Sequence, residues 1–242
     1  MEKIIAVIPS RYKSSRFPGK PLALIAGKPM IQHVYERVKL VERIKNVVVA
    51  TDDERIYDAV QGFEGEVVLT GECNCGTERV YEAVKKDCCD IVINVQGDEP
   101  LIQPQMIDEL IDTMVKRNVT MATLCKELRV QEDIINPNIV KVIKDVQGNA
   151  IYFSRYPIPY NRDNIADIRY FKHIGMYGYR KTFLEHYVNM PKSPLECAES
   201  LEQLRVLENG YKIAVAETQY DSIGVDLPEH IQQIEEMLKN GE

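Results

Sequence analysis

Ile4-Ile5-Ala6-Val7-Ile8-Pro9-Ser10-Arg11-Tyr12-Lys13-Ser14-Ser15-Arg16-Phe17-Pro18-Gly19-Lys20-Pro21 is the stretch on which the fold reading turns. Its first five residues are apolar without alternation, as in a strand covered on both faces, and Pro9 ends the run. Arg11, Lys13, Arg16 and Lys20 then follow within ten residues, with serines between them. In open α/β sheets ligands gather beyond the carboxyl ends of strands. Cations, hydroxyls and backbone N–H groups placed there suit a polyphosphate. The same residues also describe a solvated basic loop, and the place directly after a buried strand favours the ligand reading. The loop is not of Walker A type, because proline follows Gly19-Lys20, and G-x-G-x-x-G is absent.

Outward from this segment the pattern repeats. Pro29 opens a helical stretch with Met30, Ile31, Val34, Val38 and Val41 on one face. Val47-Val48-Val49-Ala50, Val67-Val68-Leu69, Ile91-Val92-Ile93-Asn94-Val95 and Met121-Ala122-Thr123-Leu124 read as further strands. Helices are expected after Thr51-Asp52-Asp53-Glu54, over 77–86 and over 105–117, with Asp52 and Asp53 as acids of a first turn. Strands alternating with helices predict an α/β fold with a mostly parallel sheet. Residues 139–183 differ: alternating runs, many tyrosines, Pro157 and Pro159 predict an antiparallel arm that meets a partner subunit. One helix is expected over 194–208, with a capping box at Ser193-Pro194-Leu195-Glu196 and Gly210 past its end. A short strand at 213–215 and a helix over 228–239 complete the chain. No repeat or linker interrupts it, so residues 1–242 are expected to form one domain with an inserted arm at 139–183.

Hydrophobic residues make up 45% and charged residues 28% of the 242, enough apolar material for a sizeable core. No apolar run approaches the roughly 20 residues of a membrane span. The N-terminus lacks a secretory cleavage pattern, so a cytoplasmic protein is expected. A net charge of −7 argues against nucleic acid as a partner. Cys73, Cys75, Cys88, Cys89, Cys125 and Cys197 form no C-x-x-C pair and no zinc-finger spacing, and free thiols are expected.

Two carboxylates stand out. Asp98, in Asn94-Val95-Gln96-Gly97-Asp98-Glu99-Pro100, follows a buried strand and a glycine that permits close backbone approach. It is placed to hold Mg²⁺ against phosphates, since hard cations prefer oxygen; a turn or cap aspartate is the plainer reading. Asp226, in Ile223-Gly224-Val225-Asp226-Leu227-Pro228, reads equally as a helix N-cap. For a polar acidic ligand, cations, hydroxyls and amides are wanted. Arg155, His173, Tyr177, Glu202 and Gln203 are candidates, with a structural histidine and a polar helix face as the plainer readings of His173 and of Glu202 with Gln203.

The segments 8–22 (Ile8-Pro9-Ser10-Arg11 through Pro18-Gly19-Lys20-Pro21-Leu22), Gly27-Lys28-Pro29-Met30-Ile31, Val49-Ala50-Thr51-Asp52 and Val95-Gln96-Gly97-Asp98-Glu99-Pro100 resemble a known family. So do Tyr152-Phe153-Ser154-Arg155, His173-Ile174-Gly175-Met176-Tyr177-Gly178-Tyr179-Arg180, Glu202-Gln203-Leu204-Arg205 and Gly224-Val225-Asp226. The family is the cytidylyltransferases that activate 3-deoxy-D-manno-octulosonate (Kdo), with the nearest likeness to its capsule-associated members. The blocks fall in family order along nearly the whole chain. The resemblance implies a Rossmann-like nucleotidyltransferase fold, a mixed sheet flanked by helices, and a homodimer built partly from the antiparallel arm. It implies the reaction CTP + Kdo → CMP-Kdo + diphosphate, serving lipopolysaccharide or capsule synthesis.

By the same resemblance Asp98 and Asp226 hold Mg²⁺, and Asp98, Lys20 and Arg11 carry catalysis. Arg11, Ser14, Ser15, Arg16, Lys20, Cys75, Gly76, Arg79 and Gln96 contact the nucleotide. Arg155, His173, Tyr177, Glu202 and Gln203 contact the sugar acid. One departure is visible: Cys73-Asn74-Cys75-Gly76-Thr77-Glu78-Arg79 has cysteine where many members have His and Ser. It keeps open another acidic acceptor, such as an amino-Kdo, another ulosonic acid or a phosphonate. A non-catalytic nucleotide sensor on the same fold is the more distant alternative.

Overall fold

A computed structural model describes residues 2–14 and 16–240. In chain order the strands and helices begin with β1 (Ile4–Ser10), β2 (Leu24–Ile25), β3 (Lys28–Pro29), α1 (Met30–Lys39), β4 (Asn46–Thr51) and α2 (Glu54–Gly62). There follow β5 (Glu66–Leu69), α3 (Gly76–Val84), β6 (Ile91–Asn94), α4 (Pro104–Lys116), β7 (Met121–Leu128) and α5 (Gln131–Ile135). Then come β8 (Lys141–Lys144), β9 (Ala150–Ser154), β10 (Tyr170–Arg180), α6 (Lys181–Val188), α7 (Pro194–Glu199), α8 (Leu204–Glu208), β11 (Ala214–Glu217) and α9 (His230–Lys239). The chain divides into two compact units, Met1–Asp108 with Asp221–Glu242, and Glu109–Tyr220. Residues 139–183 lie wholly inside the second unit.

In the first unit the strands run β6-β1-β4-β5, all parallel. The chain leaves β1 for β4 and β5 on one side, then returns through α3 to place β6 on the other. That makes the carboxyl end of β1 a topological switch point, where connections depart in opposite directions and a crevice opens. Residues 4–8 of β1 are buried, as the unbroken apolar run requires. Helix α1 buries Met30, Ile31, Val34, Tyr35 and Val38, one helical stripe. A smaller cluster of Ile25, Met30, Leu101, Val225 and Ile234 ties the terminal segment to the rest of this unit. The 96–98 turn lies so close to β1 that a Cβ on Gly97 would stand 2.8 Å from Ser10 Oγ and 3.2 Å from the Pro9 carbonyl oxygen, so any larger residue would have to displace β1 or the Ser10 side chain.

The second unit is mixed. Strand β7 pairs antiparallel with β10 and parallel with β11, and β8 pairs antiparallel with β10 and β9. Residues 139–183 therefore supply antiparallel strands, as expected. The register of β10 against β7 shifts between Ile174 and Tyr177, a bulge. The single helix expected over 194–208 is two. Ser200 adopts the left-handed conformation (φ 53°) and ends α7, and α8 begins at Leu204. The reason lies in a buried pair: Arg205 Nε donates to Glu196 Oε2 at 2.7 Å and Arg205 Nη1 to the Met190 carbonyl at 3.0 Å. Nine residues of continuous helix would separate positions 196 and 205 by about 13.5 Å along the axis. Only a break folds Arg205 back onto Glu196. Burial is the largest single influence and raises the Glu196 carboxyl, but the Arg205 hydrogen bonds, the Ser193 N–H and the charges of Arg205 and Lys192 together outweigh it and hold the group below its ordinary range.

Candidate active site

The loop after β1 closes on itself. Gly19 N–H donates to the Tyr12 carbonyl at 2.9 Å, and Lys20 N–H to the Phe17 carbonyl at 3.2 Å. Gly19 has φ +71°, and a Cβ there would stand 3.0 Å from the Tyr12 ring. The Arg55 guanidinium lies over the Tyr12 ring, 3.3 Å from its centroid. Asp53 holds Arg55 in turn, Arg55 Nε donating to Asp53 Oδ1 at 2.9 Å. The loop is thus pinned by an aromatic–cation stack that the sequence did not single out.

Pinning the backbone aims Lys20. Its Nζ donates to Asp98 Oδ2 at 2.6 Å and lies 3.6 Å from Asp226 Oδ1. Arg16 Nη2 donates to the same Asp226 oxygen at 2.9 Å. The two aspartates are brought together by backbone: Val225 N–H donates to the Asp98 carbonyl at 2.8 Å. Asp226 N–H donates to His230 Nδ1 at 3.1 Å, which fixes the segment to α9. The plain N-cap reading of Asp226 does not hold, because α9 begins at His230 behind Glu229. Lys20, Arg16, Asp98 and Asp226 therefore form one ion-paired cluster.

The other expected nucleotide contacts divide. Arg11 is exposed. Ser14 Oγ accepts from Phe17 N–H at 3.4 Å, a turn contact inside the loop. Ser15 lies outside the described residues. Gly76 opens α3 beside the end of β1, where a Cβ would lie 4.0 Å from Pro9 Cγ. Cys75 is the N-cap of α3, its Sγ accepting from Glu78 N–H at 3.5 Å. Glu78 reaches back, Oε2 accepting from Asn74 N–H at 2.6 Å. Cys73 Sγ donates to the Gly71 carbonyl at 3.5 Å, and burial pushes its thiol up. Arg79 is buried and already engaged: Nη1 donates to Thr70 Oγ1 at 2.5 Å and Nη2 to Asp52 Oδ2 at 2.7 Å. Asp52 is therefore not a first-turn helix acid but the anchor of Arg79, while Asp53 is the N-cap of α2. Gln96 is half-buried in the turn before Asp98.

Two polar atoms missed by the sequence reading belong to the same place. Ser10 Oγ and Asn94 Oδ1, at the carboxyl ends of β1 and β6, are buried without a hydrogen-bond partner. Buried polar atoms are nearly always paired, so these two are open to a ligand. Their signal lay in the sequence as polar residues closing two apolar strands.

Among the described residues no group of three or more His, Cys, Asp or Glu side chains is placed to share a metal. Two carboxylates around one cationic nitrogen nevertheless match the donor set Mg²⁺ takes, which is one or two carboxylates completed by phosphate oxygens and water. Asp98 and Asp226 fit that ion.

The second unit gathers His173, Tyr177 and Glu202. The His173 and Tyr177 rings lie 5.4 Å apart, and Phe153 meets His173 edge-on at 4.9 Å. Burial, then Tyr179 and Glu202, push the Tyr177 phenol well above its ordinary range. Burial lowers His173 to about 3, so its imidazole is neutral at physiological pH. Thr123 Oγ1 lies 3.0 Å from His173 Nε2, 3.0 Å from the Ile174 carbonyl and 2.8 Å from the Met176 carbonyl. Thr123 thus ties the His173 ring to the bulge of β10. Gln203 is buried with Nε2 unpaired, again a donor open to a ligand. Arg155 stands on other partners, its Nε donating to the Glu199 carbonyl at 2.8 Å and Nη1 to the Pro137 carbonyl at 3.2 Å.

The model of the cytidylyltransferase family matches residues 5–213. The 3-deoxy-manno-octulosonate cytidylyltransferase of Solibacter usitatus is 49% identical over 239 residues, covering 98% of this chain and 95% of the relative. That of Geobacter sulfurreducens is 48% identical, covering 98% and 99% respectively. A solved CMP:2-keto-3-deoxy-manno-octonic acid synthetase complexed with CTP superposes with a TM-score of 0.94 at 44% identity, over 99% of this chain and all of the other. A cytidylyltransferase from Leptospira borgpetersenii, 16% identical with a TM-score of 0.66, covers 99% of this chain and 88% of its own and shares the fold.

Proposed function

The chain belongs to the cytidylyltransferase family, and from that premise we propose that it transfers CMP from CTP to the anomeric hydroxyl of Kdo, releasing diphosphate. The observation that carries this reading is the Lys20–Asp98–Asp226 cluster at the switch point of the parallel sheet. Phosphoryl transfer of this kind needs alignment and charge neutralisation rather than a covalent intermediate. Lys20 and Arg16 stand where a triphosphate would meet them, with Arg11 at the mouth of the loop. Asp98 and Asp226 would hold Mg²⁺, which when bound neutralises phosphate charge and lowers the pKa of the attacking hydroxyl. Neutral His173 and the unpaired Gln203 Nε2 offer partners to sugar hydroxyls and carboxylate.

Cys73 and Cys75 lend no weight to a different acceptor. Cys75 serves as a helix cap, and Cys73 turns to a backbone carbonyl. We place the reaction in the cytoplasm, in keeping with the free thiols of Cys73, Cys88, Cys125 and Cys197. The product would feed lipopolysaccharide or capsule assembly. The test is to incubate the protein with Mg²⁺, Kdo and each nucleoside triphosphate in turn and to identify the product by mass. CMP-Kdo from CTP alone is the expected result; product from another acid in an acceptor panel, and none from Kdo, overturns the reading.

A further inference from the structure

Lys20 is more deeply placed than either carboxylate that holds it: its side chain is 14% exposed, against 34% for Asp98 and 44% for Asp226. Its backbone cannot move freely. Lys20 N–H is bonded to the Phe17 carbonyl, Ala23 N–H is bonded to the Lys20 carbonyl, and Pro21 follows in a short 3-10 turn. The four-carbon stem is free to rotate, so the ammonium can be redirected while the loop stays still. As the cluster stands, Lys20 and Arg16 balance the charges of Asp98 and Asp226. A divalent cation seeks the same oxygens, at about 2.0–2.1 Å for Mg²⁺. An ammonium 2.6 Å from Asp98 Oδ2 occupies that space, and two cations so close repel strongly in a partly desolvated site.

We propose that Lys20 is the internal counter-cation of this site: its ammonium fills the Asp98–Asp226 pair in the free protein and moves to the triphosphate when a divalent cation takes the carboxylates. The inference rests on the proposed function, which supplies both the triphosphate and the cation. Its consequence is that metal and nucleotide bind with positive coupling. A metal ion alone must evict the lysine, whereas a triphosphate gives that lysine a new anion, and the coupling is reciprocal.

The test uses Mn²⁺ as a paramagnetic stand-in for Mg²⁺, titrated into the full chain without nucleotide and followed by electron paramagnetic resonance. Lys20→Met should bind Mn²⁺ at least tenfold tighter than the wild type, although it removes a residue of the site, and Lys20→Gln should do the same. Adding Asp98→Asn to Lys20→Met should abolish the gain. Lys13→Met removes the same charge from the same loop without touching the carboxylates, and its Mn²⁺ affinity should stay within about twofold of the wild type. CTP should tighten Mn²⁺ binding far more in the wild type than in Lys20→Met. Unchanged or weaker Mn²⁺ binding in both Lys20 variants overturns the proposal, and so does an equal gain in Lys13→Met. Wild-type turnover is measured on the same preparation. CMP-Kdo formation without the Mn²⁺ effect rejects the lysine exchange alone, and absence of product rejects the functional reading beneath it.

Discussion

Asp98 and Asp226 come from distant parts of the chain and meet around one ammonium. An amide at either position keeps the shape and loses the charge. Asp98→Asn and Asp226→Asn are each expected to lower turnover about 10²–10³-fold, the usual cost of losing one electrostatic contact to a transition state. Thermal melts should stay near the wild-type value. Near-normal rates at limiting Mg²⁺ in both variants would refute the metal assignment. His173 gives a pH-dependent counterpart. Its folded-state value of about 3 lies below the unfolded value of about 6.5. Above the unfolded value the contribution to stability is fully present. As pH falls toward 3 the unfolded chain takes up a proton that the folded one refuses, and stability drops. Urea midpoints at pH 7.5 and pH 5 should therefore diverge more for the wild type than for His173→Asn. An equal loss in both would mean that folding does not hold the imidazole neutral.

Helix α3 shows how an unusual residue can be read at the level of its element. Cys75 caps it through a sulfur that accepts weakly, at 3.5 Å from Glu78 N–H. A hydroxyl is the stronger cap. Cys75→Ser should raise stability by about 0.5–1 kcal/mol and leave CTP-dependent turnover in place. Equilibrium urea unfolding measures the first and diphosphate release the second. A loss of stability would show that the thiol packs better than it caps. The capping box at Ser193 and Glu196 was legible because the signal is local, and Gly210 fits its place past α8 with φ +79°. The break at Ser200 was not legible. Apolar periodicity runs on through it, and only the pairing of Arg205 with Glu196 requires the chain to turn back.

At the scale of the whole molecule, residues 139–183 carry several exposed apolar side chains. Ile151, Tyr156, Tyr160 and Ile165 are 56%, 74%, 82% and 62% exposed, a concentration of large apolar and aromatic side chains that a partner subunit would cover. A homodimer is expected in sedimentation runs across a wide dilution range, and a persistent monomer at assay concentration would count against it.

The sequence by itself determined the buried parallel strands, the cationic loop after β1 and the acidic turn after β6. Each is written in contiguous residues whose burial or turn chemistry is local. The tertiary structure alone decided that β6 returns to the far side of β1 and that Val225 bonds to the Asp98 backbone, carrying Asp226 to Lys20. It also decided that Arg79 spends its charge on Asp52 and Thr70 while Lys20 faces the two carboxylates. The physical reason is common to all of these. A charged side chain has many possible partners, and which one it meets depends on long-range chain returns that no local pattern encodes.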